Sequence, residues 1–139
     1  MNPVALAPVP AHVSLELADR LFEAIAANDL QTLRDEIYTP GIAVWHNNDD
    51  HDQLIDENLA VLGWLHRKVK DKRYEDVVRH TTPTGFVEQH VLRGVAPDGS
   101  ELNIHACLVV TVVGDRISRI DEYLDSSAAR ALLPPDSPR

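Results

Sequence analysis

The stretch ELNIHACLVVTVVGDRISRIDEYL, residues 101–124, decides the fold. Glu101 to Val113 is the longest β-rich run in the chain. Val113-Gly114-Asp115-Arg116 then turns it, and Ile117 to Leu124 supplies a second strand. Upstream, Pro97-Asp98-Gly99-Ser100 is a strong hairpin signal that joins this run to a strand over Phe86 to Val95. Thr82-Pro83-Thr84-Gly85 is another turn, and before it Tyr74 to His80 alternates weakly between apolar and polar. Strands separated by such short turns form an antiparallel meander, because a parallel crossover needs a dozen or more residues.

The first half of the chain has a different period. Ser14 can cap a helix in which Leu17, Ala18, Leu21, Phe22 and Ile25 recur at helical spacing through Asn28. Asp29 is placed to cap a shorter helix with Leu30, Leu33 and Ile37 as its apolar stripe, ended by Pro40-Gly41. Ile42 to Asn47 is a short strand candidate, and Asn47 to Asp52 reads as a polar loop. A third helix is expected from about Gln53 to Val69, with Leu54, Val61, Leu62 and Leu65 on one side. Asp125 onward is compatible with a short C-terminal helix through Leu133. The order is helices, strand, helix and four-stranded meander, an α+β class in which a curved sheet wraps the helices. A concave space between sheet and helices would suit a small ligand. The sheet's other face carries more Val, Ile and Leu than one chain can cover, so a homodimer through the sheet is expected.

The 139 residues fit one domain, 14–133, between a loose arm, 1–13, and a tail, 134–139. Met1 to His12 holds three prolines and no basic segment, so it does not read as a secretory signal, and the expected compartment is cytoplasmic. Thirteen Lys and Arg stand against 22 Asp and Glu, a net charge of -9, which argues against a nucleic-acid partner. The basic run His66 to Arg73 is local and sits at the third helix's C-terminus, where positive charge favours the dipole. No apolar run approaches the roughly 20 residues that span a bilayer. Cys107 is the only cysteine, which excludes an intrachain disulfide, and its apolar neighbours suggest a buried thiol. No Gly-rich phosphate loop or nucleophile elbow is present, so no cofactor is indicated. His46, Asp49, His51 and Asp52 are chemically suited to a metal but lack a ligand rhythm, and no metal is expected.

Four clusters could carry chemistry. In Trp45-His46-Asn47, Trp45 and Asn47 share a strand face and His46 points the other way. An indole N–H and a carboxamide there could orient a ligand, or serve only as a packed ring followed by turn residues. Glu88 and His90 share a face with Phe86 and Leu92, and a carboxylate beside an imidazole can move a proton or set its tautomer. The alternative is a solvent-facing pair. His105 lies with Asn103, Cys107 and Val109, either in a pocket or at an interface. In the last strand Ile120, Glu122 and Leu124 share one face and Asp121 and Tyr123 the other. Glu122, an acid between two apolar neighbours, is a candidate general acid or base.

The helix-helix-strand start, Trp45-His46-Asn47 and the ending Gly114-Asp115-Arg116-Ile117-Ser118-Arg119-Ile120-Asp121-Glu122-Tyr123-Leu124-Asp125 resemble the SnoaL-like branch of the NTF2-like superfamily. The resemblance runs from about Ser14 to Leu132. It implies a cone-shaped α+β barrel, a deep pocket and frequent dimerisation through the sheet. The superfamily includes polyketide cyclases, ketosteroid isomerases, limonene-epoxide hydrolases and non-catalytic binding proteins. The resemblance puts Glu122 at the epoxide hydrolases' catalytic acid before the final aromatic motif. It puts Glu88 and His90 at their arginine and second acid, and Trp45 and Asn47 at their water-positioning pair. With Glu88 replacing the arginine, a Glu, His and Glu set remains, which is closer to the acid and histidine of the cyclases.

The sequence therefore leads to a protein that binds a small apolar, carbonyl-bearing or cyclic molecule. In one reading it is a cofactor-independent isomerase or cyclase, with His90 and Glu122 catalytic and Trp45, His46, Asn47, Glu88 and His105 contacting substrate. A non-catalytic binding or assembly module, or an epoxide-hydrolase-like enzyme, stands as the alternative.

Overall fold

A computed structural model describes residues 7–132. The expected tail over 134–139 and the first six residues of the expected arm lie outside the described residues. Helix α1 spans Ala11–Ala26. The helical turn α2, Leu30–Thr32, runs into a π-helical turn over Leu33–Ile37. Strand β1, Tyr38–His46, is followed by the short β2, His51–Gln53, and by helix α3, Ile55–Lys68. Strands β3 (Lys70–Thr82), β4 (Gly85–Val95), β5 (Glu101–Val113) and β6 (Arg116–Leu124) complete the sheet. The turn α4, Ser126–Ala129, and a 3-10 turn, Arg130–Leu132, follow. None of the described helices is long and apolar enough to cross a membrane.

The six strands form one sheet in the order β2-β1-β6-β5-β4-β3. The meander β3 to β6 is antiparallel throughout. The sheet is nevertheless mixed and open, because β1 pairs with β6 in parallel, Val44 beside Ile120 and His46 beside Glu122. Hairpin signals report only strands close in sequence, so this long-range pairing left no trace in the turns. The inner face buries Phe86, Leu108, Val110, Val112, Ile117 and Ile120 against Leu17, Ala18 and Leu21 of α1. A second cluster of Val69, Leu92, Leu102 and Ile104 closes the other end beneath the C-terminal turns.

Several expected boundaries move. α1 begins at Ala11, with Pro10 at its N-cap, and Ser14 is buried inside the helix with no hydrogen-bond partner for its Oγ. Val9 is also buried, and its N–H donates to the Pro83 carbonyl at 2.9 Å. This anchor is what starts the helix early. Asp29 caps α2 as its position suggested, accepting from the Thr32 N–H at 3.1 Å. Pro40-Gly41 does not end a helix. It lies within β1, where the register to β6 slips by several residues between Tyr38 and Ala43, the irregularity that tolerates a proline without an N–H. Leu54 caps α3 and is exposed, so it does not join that helix's apolar side.

Strand β3 explains its own weak alternation. Between Lys70 and Arg73, and again between Glu75 and Val78, β3 spends three residue steps where β4 spends two. Each is a one-residue bulge, and each contains an aspartate at positive φ, Asp71 at 54° and Asp76 at 55°. The second bulge shifts the phase of the strand. Tyr74 and Arg79, an odd number of positions apart, consequently both face inward, toward the face that carries Glu88 and His90. Bulges of this kind bend a strand and increase its twist.

The outer sheet face exposes Val78, Val109, Val113 and Tyr123, and it is here that the sequence reading seats a second copy. Cys107 is on this face and half-buried, contrary to the expected core position, because strand alternation pairs it with His105 and Val109.

Candidate active site

A cavity of 480 Å³ lies between the inner sheet face, α1, α3 and the C-terminal turns. Its walls are mainly apolar, with Leu21, Ile25, Val44, Leu62, Leu108 and Ile120 among them. Two histidines enter it from β1 and β4, strands separated by β6 and β5. Each is paired with a glutamate.

The first pair is set by the parallel register. His46 and Glu122 stand side by side on β1 and β6, and His46 Nε2 lies 2.8 Å from Glu122 Oε1. Burial disfavours the charged imidazole, but the hydrogen bond and charge of Glu122, with Asp49 behind, outweigh it and hold His46 above its ordinary value. A histidine raised in the native state stabilises fully below its unfolded value of 6.5, and the contribution disappears as pH rises through the higher native value. Glu122→Gln is therefore expected to lower the melting temperature more at about pH 6 than at about pH 9. Equal losses at both would show that the pair carries no charge.

The second pair is more deeply buried. Glu88 has no solvent-exposed surface, and one of its oxygens lies 2.6 Å from His90 Nδ1. The other accepts from Arg79 Nε at 2.5 Å. Arg79 Nη1 reaches on to Asp19 of α1. A carboxylate in this position only accepts, so with Glu88 charged the contact puts a proton on His90 Nδ1. The His90 ring is wedged edge-on between Tyr74, 4.8 Å away, and Phe22, 5.2 Å away.

Tyr38, Gln53, Asn58 and Tyr74 are further polar residues that line this cavity. The Tyr38 hydroxyl donates to Asn58 Oδ1 at 2.8 Å, and Asn58 Nδ2 donates to Gln53 Oε1 at 3.1 Å. Tyr38 was hidden by the assignment of its segment to a helix end, and Tyr74 by the β3 bulge. Asn58, a polar residue on the buried side of α3, was the visible clue. Burial, then the nearby Glu122 charge, pushes both Tyr38 and Tyr74 well above the ordinary phenol range. Both are neutral hydroxyls.

Of the residues singled out in the sequence, His46, His90 and Glu122 line the cavity and Glu88 backs His90. Trp45 lies elsewhere, donating from Nε1 to Asp50 at 2.7 Å and packing edge-on against Tyr123. Asn47 ties the ends of two strands, accepting from the Leu124 N–H at 2.9 Å and donating to its carbonyl at 3.3 Å. His105 pairs with Val91 while His90 pairs with Ala106, so the two histidines sit on opposite faces. His105 borders a shallow outer depression with Asp76, Gln89, Cys107 and Tyr123. His51 and Asp52, expected in a polar loop, lie in β2 instead, where His51 pairs with Glu57 at 2.8 Å and Asp52 with Arg119 at 3.1 Å.

No protein-family model matches the sequence, and no curated protein matches it. Solved structures do. An NTF2-like protein from Burkholderia xenovorans LB400 superposes with a TM-score of 0.76 at 15% identity, over 93% of this chain and 100% of that one. A candidate SnoaL-like polyketide cyclase from Jannaschia sp. CCS1 gives 0.71 at 18% identity, over 97% and 100%. PrhC from Penicillium brasilianum NBRC 6234 gives 0.75 at 9% identity, over 87% and 85%. These likenesses establish the α+β NTF2-like fold with its SnoaL-like arrangement of helices and curved sheet.

Proposed function

We propose that the cavity binds a small, mainly apolar molecule bearing a carbonyl group and moves a proton on it, an isomerase- or cyclase-type reaction run by side chains of this chain. The observation that carries this reading is two His–Glu pairs of different character entering one apolar cavity. His90 is set up as a base, with Glu88 occupying its Nδ1 and Nε2 left with a lone pair. His46 is set up as an acid, because Glu122 favours its cationic form. A base and an acid with opposed environments are what proton transfer near neutral pH requires.

In this mechanism His90 Nε2 takes a proton from the carbon beside the carbonyl, and the C–H electron pair moves into an enolate. The developing oxyanion needs donors in a dry site. The His46 imidazolium and the Tyr74 hydroxyl supply them. Returning the proton at another carbon completes an isomerisation. Attack of the enolate carbon on a second carbonyl of the same molecule forms a ring, and that oxygen takes the proton. Several of the structural neighbours are named as candidate polyketide cyclases, which supports this class of reaction.

The test incubates small cyclic ketones with the protein in deuterated water and follows exchange of the hydrogens beside the carbonyl by NMR. Wild type should accelerate exchange, and His90→Asn should slow it by about 100- to 10,000-fold while ketone binding persists. Unchanged exchange in His90→Asn removes His90 as the base. Ketones that bind in the cavity without any exchange favour the binding-module reading instead.

A further inference from the structure

We propose that Arg79 is a positioning residue for His90: by neutralising the buried Glu88 carboxylate it spares His90 that task, and so keeps the imidazole uncharged with Nε2 bare toward the cavity. The inference rests on the reading of His90 as a base.

Glu88 is fully buried, and a carboxylate removed from water must be balanced by a nearby positive charge or else take up a proton. Two neighbours can supply that charge. Arg79 Nε is 2.5 Å from one oxygen and His90 Nδ1 is 2.6 Å from the other. If the imidazole were the counter-ion, it would hold a second proton and could not accept one from a ligand. Arginine is always charged in proteins, so its presence makes Glu88 an acceptor whose charge is already balanced. His90 then donates its single proton to Glu88 as a neutral ring.

The surroundings of His90 fit this division. The neutral Tyr74 of β3 and Phe22 of α1 pack on its ring, while Arg79 of β3 reaches Glu88 with Asp19 behind it. Glu122, across the cavity on β6, is engaged by His46. The arrangement depends on the bulge at Asp76, which brings Arg79 to the inner face. Asp19 also has a part. It is largely exposed and draws on the same guanidinium, which weakens the grip of Arg79 on Glu88.

The test reads the protons on His90 directly, by nitrogen NMR of ligand-free protein containing isotopically labelled histidine. Wild type near pH 7 should show a neutral ring protonated at Nδ1. Arg79→Met should raise the ratio of imidazolium to neutral His90 at least tenfold at the same pH, because His90 becomes the only counter-ion left for Glu88. Asp19→Asn alters only a surface carboxylate and should move the ratio in the opposite direction, which keeps the test decisive where Arg79→Met does not fold. An unchanged His90 signal in Arg79→Met, or an unchanged or increased imidazolium ratio in Asp19→Asn, overturns the proposal. These spectra contain no ligand, so failure of the ketone exchange experiment would remove the base role and leave the charge assignment standing.

Discussion

Glu88→Ala is expected to cost about 3–5 kcal/mol of stability, the usual penalty for removing one partner of a buried ion pair. The side chain has no exposed surface and serves two partners, Arg79 at 2.5 Å and His90 at 2.6 Å. Its removal leaves the His90 Nδ1–H without an acceptor, deprives a mostly buried guanidinium of one of its two carboxylates, and opens a cavity between α1 and β4. For a domain of this size the melting temperature should fall by roughly 10 °C or more. Thermal melts by circular dichroism measure it. The double variant Glu88→Leu with Arg79→Met removes both charges and refills the space, so it should regain at least half of the loss. A double variant no more stable than Glu88→Ala would mean that the cost lies in side-chain shape and not in stranded charge.

Gly85→Ala should be comparably severe, about 3–5 kcal/mol, and for a backbone reason. Gly85 opens β4 at φ +151°, a conformation that side-chain-bearing residues rarely adopt. A methyl group there would collide with the Val110 carbonyl oxygen and stand 3.3 Å from the Val112 nitrogen, both backbone atoms of β5. β5 cannot yield, since it is paired on both sides and the Val112 N–H already donates to the Thr84 carbonyl at 2.8 Å. Gly41→Ala is the control. An added Cβ meets nothing within 4 Å there, and denaturant titration should find it within about 1 kcal/mol of wild type. If Gly85→Ala behaves like Gly41→Ala, the β3–β4 turn must be able to shift without disturbing β5.

The meander was readable because its turns and alternation are local. β5 spans Glu101–Val113, the bounds its pattern suggests, and its burial alternates along the whole strand. The shared face of Ile120, Glu122 and Leu124, and that of Phe86, Glu88, His90 and Leu92, followed from the same period of two. Where that period is interrupted, reading failed. The bulge in β3 concealed that Tyr74 and Arg79 face inward, and the slip in β1 made Pro40-Gly41 look like a helix stop. A bulge depends on what the partner strand offers, and a single chain segment does not record its partner.

What the sequence determined by itself is the α+β class, the meander, and which acids and histidines of β4, β5 and β6 share a face. These depend on propensities, turn residues and periodicity, all of which act over a few positions. Only the tertiary structure decided which of those groups meet. The parallel pairing of β1 with β6 placed His46 at 2.8 Å from Glu122, and the β3 bulge turned Arg79 onto Glu88. The same packing put Trp45 and His105 on the outer face, away from the cavity. Partners drawn from distant strands are chosen by register and burial across the whole sheet.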